Sequence, residues 1–471
     1  MIRTRFAPSP TGLLHVGNAR VSVLNWLITR HAGGAVVLRI EDTDNERNVD
    51  SSENAIFADL DWLGITPDEG PVQGGDAGPY RQSERLDSYA TAAVQLLAHD
   101  FAYPCFCSKD ELEAERAAIL AAGGQPHYSG RCRGLTDDER TAFTAQGRTP
   151  AIRFAVSPDR VIVVDDAVYG SVRVNSSELG DFIIVRGDGL PTYNFAVVCD
   201  DMAMRITHVV RGVGHLSNTH RQVLIFEALG GVLPVFAHIP TVLGEDRQKL
   251  SKRNGAQSIA EYRENGYHPD ALVNYLSLLS WSSPTGEEFL SREQLIAEIS
   301  LDRIGAADVM FDPAKLRWLS GKHIEAMDLA ALTPAVRPFL NARYTLLPDE
   351  TLDVAVAAVR SHLVTFADIN DALAPIFVEP AAPTSLTQGQ RTVCSVAAEL
   401  LETAQWTDAG LAAAIKDIGA RAGAKGRALY EPLRLAVTGE LHGPPFVPLL
   451  LVRGRDDVLR RIHATLESDG H

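Results

Sequence analysis

Ile2-Arg3-Thr4-Arg5-Phe6, Ala7-Pro8-Ser9-Pro10-Thr11-Gly12 and Val36-Val37-Leu38-Arg39-Ile40 decide the fold. The first and last read as short strands. The middle stretch cannot be helical, because its prolines lack the N–H a helix needs and restrict their neighbours, so it is a loop. Between Asn18 and Arg30, apolar side chains recur at Val21, Leu24, Leu27 and Ile28, the spacing of one helix face, and Gly33-Gly34 ends the run. Strand, loop, helix and strand make a βαβ unit, so the N-terminal region is expected to hold a parallel sheet.

The rest of the chain is read outward from that unit. A length of 471 residues implies two to four domains. A hydrophobic fraction of 45% implies packed globular structure. The formal charge of −16 argues against a protein coated in positive charge, yet leaves room for a local basic groove. From about Phe101 to Gly180 the pattern changes to a helical run (Lys109 to Ala122) and short β-rich pieces (Ala151 to Val156, Val161 to Val164), read as an α+β insertion. Phe182 to Val185, Ile206 to Val210 and His238 to Leu243 are expected to resume the parallel sheet. After about Met310 the pattern is helical to the end, with Pro380 to Pro383 as a joint between two helical subdomains. The expected domains are 1–100 with 181–255 (α/β), 101–180 (insertion), 256–320 (helical junction) and 321–471 (all-helical).

The N-terminus has no apolar run before its prolines, and no stretch approaches the roughly 20 apolar residues of a membrane span. A cytoplasmic location is expected. Of five cysteines, Cys105, Cys107 and Cys132 cluster, which points to metal binding rather than a disulfide framework.

Parallel sheets bind ligands at the carboxyl ends of their strands. Ser9 to Asn18 lies at such an end and leads into a helix N-terminus, which offers free N–H groups and a partial positive charge to an anion. Gly12 and Gly17 let the backbone approach a ligand, and His15 adds a donor without permanent charge. This suits a triphosphate whose α-phosphorus gains negative charge under attack. Lys249-Leu250-Ser251-Lys252-Arg253 packs three cations into five residues beyond a strand, between Gly244 and Asn254-Gly255. Two lysines on a mobile loop can neutralise departing pyrophosphate. Taken singly, His15 could merely cap its helix and the basic run could be a solvated turn. The two motifs in this order are far more specific than either alone.

His15-Val16-Gly17-Asn18 resembles the HIGH signature of class I aminoacyl-tRNA synthetases, and Lys249 to Arg253 resembles their KMSKS loop. Arg5 to Gly12, Arg39 to Asp44, Gly78 to Arg85, Pro191 to Ala196, Phe311 to Trp318 and Leu433 to Gly439 resemble blocks of the glutamyl-tRNA synthetases, in family order. The resemblance implies a Rossmann-like parallel sheet, an inserted α+β connective domain and an all-α C-terminal anticodon-binding region. It implies ATP with Mg²⁺, L-glutamate and tRNA-Glu as reactants of a monomeric enzyme. On this pattern His15, Asn18, Lys249 and Lys252 are catalytic. Gly12, His15, Gly17, Lys249, Ser251, Lys252 and Arg253 bind ATP. Arg5 and Arg211 take the substrate carboxylates, Ser9 and Tyr193 hydrogen-bond the substrate, and Glu41 holds its amine.

Cys105-Phe106-Cys107 with Cys132 resembles the zinc site of many members. The usual histidine two residues after the third cysteine is Gly134 here, so the fourth ligand is Tyr128 or His127. A second departure follows Arg211. The family usually has Gly-Glu-Asp-His, and this chain has Gly212-Val213-Gly214-His215. Loss of both carboxylates implies weaker ATP binding, a substitute group elsewhere, or a changed task. The alternatives are an enzyme that also charges tRNA-Gln, or a regulatory tRNA-binding paralogue.

Overall fold

The structure is a computed structural model that describes residues 1–43, 50–124, 127–250, 257–377 and 386–467. The chain divides into two compact units, Met1–Glu261 with Val273–Asp312, and Tyr262–Leu272 with Pro313–His471.

In the first unit β1 (Arg3–Phe6) leads through the proline loop into α1 (Val16–His31), and β2 (Ala35–Leu38) follows. β1 and β2 pair in parallel from Arg3↔Ala35 to Phe6↔Leu38, as the opening motif requires. Helix α1 is buried on more than its apolar stripe, because Ser22, Asn25 and Thr29 are also inside. Thr29 Oγ1 lies 2.7 Å from Thr4 Oγ1, and Asn25 Nδ2 donates to the Val210 carbonyl at 3.0 Å.

The insertion holds β3 (Ala102–Cys105), β4 (Ala151–Phe154), β5 (Val161–Asp166), β6 (Gly170–Asn175) and β7 (Phe182–Val185). Here the structure corrects the sequence reading. Phe182–Val185 does not resume the parallel sheet; it pairs antiparallel with β4 and completes the sheet β3-β4-β7. Conversely, β5 and β6 form a hairpin whose turn end meets β9 (Val235–Ile239) in parallel at Asp166↔Phe236. A four-residue apolar run states that a strand is buried and says nothing about its partner, so both strands were open to misplacement.

β8 (His208–Gly212) pairs in parallel with β9. It also lies beside β1, because the Thr207 N–H donates to the Arg3 carbonyl at 3.0 Å. The run His238 to Leu243 is two strands, not one. It breaks at Pro240, which has no N–H for a ladder, into β9 and β10 (Val242–Leu243), and β10 pairs with β11 (Val309–Met310). One core joins the insertion to the α/β part, with Phe154, Ile162 and Ile184 packed among Phe195, Val209 and Phe236.

The second unit contains no strand among its described residues, matching the helical pattern after Met310. Helices such as Asp349–Val359, Gln388–Thr403, Asp408–Ala422 and Arg427–Thr438 enclose one apolar core that includes Val356, Val393, Leu411 and Leu433. The joint read at Pro380 to Pro383 lies outside the described residues, but the helices on either side share that core. No helix among the described residues is long and apolar enough to cross a membrane.

Candidate active site

A cavity of about 510 Å³ opens where the carboxyl ends of β1, β8 and β9 meet the start of α1. Its walls include Arg5, Ser9, Gly17, Asn18, Glu41, Tyr193, Arg211 and Lys249, so residues spread over most of the first unit come together. His15 and Gly12 are not in the wall. His15 is the N-cap of α1, but its side chain makes no capping hydrogen bond, so simple capping does not account for it. A Cβ built at Gly17 would meet nothing within 4 Å, so glycine there leaves the cavity free beside the helix N-terminus. Lys249 is brought in by a turn that folds back on β10: Leu243 bridges Lys249, and the Leu250 N–H donates to the Val242 carbonyl at 2.8 Å. Ser251, Lys252 and Arg253 lie outside the described residues.

The other end of the cavity is charged and buried. Arg5 Nε contacts both Asp201 oxygens at 3.3 Å. Arg39, fully buried, donates to Asp201 Oδ1 at 2.7 Å and to Glu41 Oε1 at 3.2 Å. Burial raises the Glu41 carboxyl above its ordinary value, against the pull of Arg39 and Arg5. A ligand ammonium beside it would supply the missing positive charge. Burial opposes the charge on Asp201 too, but Arg5 and Arg39 outweigh it and hold the group ionised. Arg211 donates through Nη2 to Thr219 Oγ1 at 2.8 Å and Gln222 Oε1 at 2.7 Å, and through Nε to His238 Nε2 at 3.1 Å. Its Nη1 is buried with no partner. Tyr193, at the start of α2 (Tyr193–Ala203), sets its hydroxyl 3.0 Å from His215 Nδ1. Burial, with Arg211 and Arg5 nearby, lowers His215 to about 4, so its ring is neutral at pH 7.

Two guanidiniums, a carboxylate and a phenol in one cavity can hold a small amino acid that carries a second carboxylate. The α1 N-terminus and Lys249 can hold phosphates beside it. Sequence reading missed Arg39, Asp201, His215, His238 and Arg20. Arg20 lines the cavity and donates to the Pro240 carbonyl at 3.0 Å, and burial lowers it to about 10. The available signal was a charge inside an apolar run, as in Val-Val-Leu-Arg39-Ile and Phe-Ala-His238-Ile.

A second site lies in the insertion. The sulfurs of Cys105, Cys107 and Cys132 all lie within 4.8 Å of one another. Cys107 and Cys132 are 3.5 Å apart, and the Tyr128 hydroxyl is 3.6 Å from Cys105 and 3.4 Å from Cys107. A tetrahedral zinc with Zn–S of about 2.3 Å and Zn–O of about 2.0 Å needs S···S near roughly 3.8 Å and S···O near roughly 3.5 Å. The spacings of the three sulfurs and the Tyr128 hydroxyl fit such an ion. Burial disfavours the Cys105 thiolate, but Arg153 at 3.2 Å, a backbone N–H and Tyr128 lower the thiol below its usual value.

The family described as tRNA synthetases class I (E and Q), catalytic domain, matches residues 1–318. The chain belongs to the class I tRNA synthetases (E and Q). In this synthetase chain an anticodon binding domain family also matches residues 331–466. The chain is 44% identical to the glutamate–tRNA ligase of Carboxydothermus hydrogenoformans over 98% of its own length and 99% of that protein. It is 44% identical to the glutamate–tRNA ligase of Heliobacterium modesticaldum over 100% of its length and 97% of that protein. A crystal structure of a glutamate tRNA ligase from Elizabethkingia meningosepticum, in complex with its amino acid, matches with a TM-score of 0.85 at 32% identity, covering 99% of both chains. The departure after Arg211 remains in this synthetase: Gly212, Val213, Gly214 and His215 line the cavity and bring no acid to it.

Proposed function

We propose that this chain activates L-glutamate with ATP and transfers the glutamyl group to the 3′ end of tRNA-Glu. The observation that carries the reading is the single cavity shared by Arg5, Glu41 and Arg211 with Gly17, Asn18 and Lys249.

The glutamate carboxylate is ionised at neutral pH, so its attack on the α-phosphorus of ATP needs no general base. It needs two anions held together and new charge stabilised. Arg5 and Arg211 take the carboxylates, Ser9 and Tyr193 donate hydrogen bonds, and Glu41 takes the ammonium. Gly12, His15, Gly17 and Asn18 cradle the phosphates at α1, while Lys249, Ser251, Lys252 and Arg253 hold the departing pyrophosphate. Mg²⁺ enters with ATP and shares its charge. In the second step the terminal ribose hydroxyl of the tRNA attacks the adenylate carbonyl and AMP leaves. Val213 and Gly214 bring no carboxylate to the cavity, which implies a weaker hold on the ATP ribose. Glutamate is preferred to glutamine because buried guanidiniums are left badly paired by an amide.

The insertion, read as 101–180, and the helical region beyond 320 carry the tRNA contacts in this reading. Cys105, Cys107, Tyr128 and Cys132 hold a structural Zn²⁺. The enzyme works as a monomer in the cytoplasm.

Purified protein should exchange pyrophosphate into ATP with L-glutamate when tRNA is present. Exchange with another amino acid and none with glutamate would sink the reading. Charging of tRNA-Glu and tRNA-Gln transcripts separates the strict enzyme from one that serves both. Metal analysis should find about one zinc per chain, and less than about half an equivalent in careful preparations counts against the site.

A further inference from the structure

Arg211 has five N–H groups, and three are already committed. Nε–H goes to His238, and the two on Nη2 go to Thr219 and Gln222. Nη1 is buried and is the one nitrogen left without a partner, and Arg211 lines the cavity. The guanidinium therefore presents one nitrogen to a ligand, and its direction is set by what holds the other two.

His238 is fully buried and can accept from Arg211 only if Nε2 carries no proton. That condition is set one step further back. His238 Nδ1 lies 2.6 Å from Asp166 Oδ2, so the carboxylate takes the ring proton on the Nδ1 side. Asp166 is itself fixed by the N–H groups of Val168 and Tyr169, each at 3.0 Å to Oδ1, and by the His238 N–H at 3.1 Å to Oδ2. Gln222 is held in turn by Asn194, whose Oδ1 accepts from Gln222 Nε2 at 3.0 Å.

We infer that Asp166 and His238 are positioning residues: they lock the ring as the neutral Nδ1–H tautomer so that Arg211 Nη1 points at the glutamate carboxylate. The inference rests on the proposed glutamate site. Burial and the adjacent guanidinium also keep the ring from charging. The pair sits behind Arg211, and neither residue lines the cavity. Asp166 also has a structural role, because it ties the turn end of the β5–β6 hairpin to β9.

Two measurements test the pair on the full chain. The first reads the ring and does not need activity. In protein carrying ¹⁵N-histidine, the signals lost in His238→Gln identify His238. They should show a neutral Nδ1–H ring at pH 7, which changes on Asp166→Asn. A protonated or Nε2–H ring overturns the inference, even if the wild type activates no glutamate. The second reads selectivity. His238→Leu should raise the KM for L-glutamate about 10- to 100-fold, the effect of losing one charge-assisted hydrogen bond, while the KM for ATP moves less than about twofold. His238→Gln, whose side-chain oxygen can still accept from Arg211, should recover most of that loss. Should His238→Leu fail to fold, Thr219→Val removes the next acceptor and should raise the glutamate KM alone. Equal losses in the Leu and Gln variants, or KM values for ATP and glutamate that rise together, would mean the pair acts only as a strut. Absent exchange in the wild type would instead count against the proposed function.

Discussion

The two units bury different things. The α/β unit buries Arg5, Arg20, Arg39, Arg85, Arg153 and Arg211 together with Asp166, Asp200 and Asp201. The helical unit builds its interior from leucine, valine, isoleucine and alanine, and where Arg461 is buried it ends on Asp457 at 2.7 Å. Buried ions are costly unless paired, and replacing them with apolar groups is often neutral or stabilising. Their concentration in one unit therefore marks a place where charge is kept for work rather than for stability. The helical unit has no such duty among these residues and fills its space with apolar side chains.

That contrast can be broken most strongly at Arg39. Arg39→Leu should destabilise the protein by about 3–5 kcal/mol in chemical denaturation, because it removes the cation shared by Asp200, Asp201 and Glu41 and leaves only Arg85 and Arg5 to offset three buried carboxylates. It should also abolish glutamate-dependent exchange. Exchange at the wild-type rate would show that the buried charge is merely structural. In the helical unit, Leu433→Ala should cost about 2–4 kcal/mol through the cavity it leaves, yet keep the KM for glutamate unchanged. A changed KM would blur the division of labour drawn here.

A smaller effect concerns pH. His215 is lowered to about 4 in the folded chain from 6.5, chiefly by burial. Between those values the unfolded chain binds a proton that the folded chain refuses, so stability falls as pH drops from 6.5 towards 4. In His215→Asn the unfolding midpoint should fall less over that window. An identical fall would remove His215 as a source. The smallest effect belongs to a helix end. Thr387 caps Gln388–Thr403 through a reciprocal pair with Gln390, and Thr387→Ala should lose about 1 kcal/mol with no kinetic consequence.

The frame of this site was legible in sequence because it depends on neighbours in the chain. The strand at Arg3–Phe6, the proline loop and the helix after His15 need only local rules. The partners were not legible. Asp201 meets Arg5 from 196 positions away, and Asp166 meets His238 from 72 away. Nothing in either local pattern specifies those distances. Phe182–Val185 failed for the same reason, since strand partners are chosen by tertiary packing. Pro240 was different: its missing N–H was readable, and the strand should have been divided there.

One consequence follows from the position of Asp166. It is the last residue of β5, at the turn of a hairpin within the segment read as an insertion. An engineer who excised residues 101–180 to obtain a minimal catalytic core would keep β1, β2, β8 and β9 and every residue that walls the cavity. The excision would also discard the carboxylate behind His238. On the role inferred for Asp166 the segment is not a detachable module: its removal should unhook the Arg211 end of a cavity to which it contributes no wall.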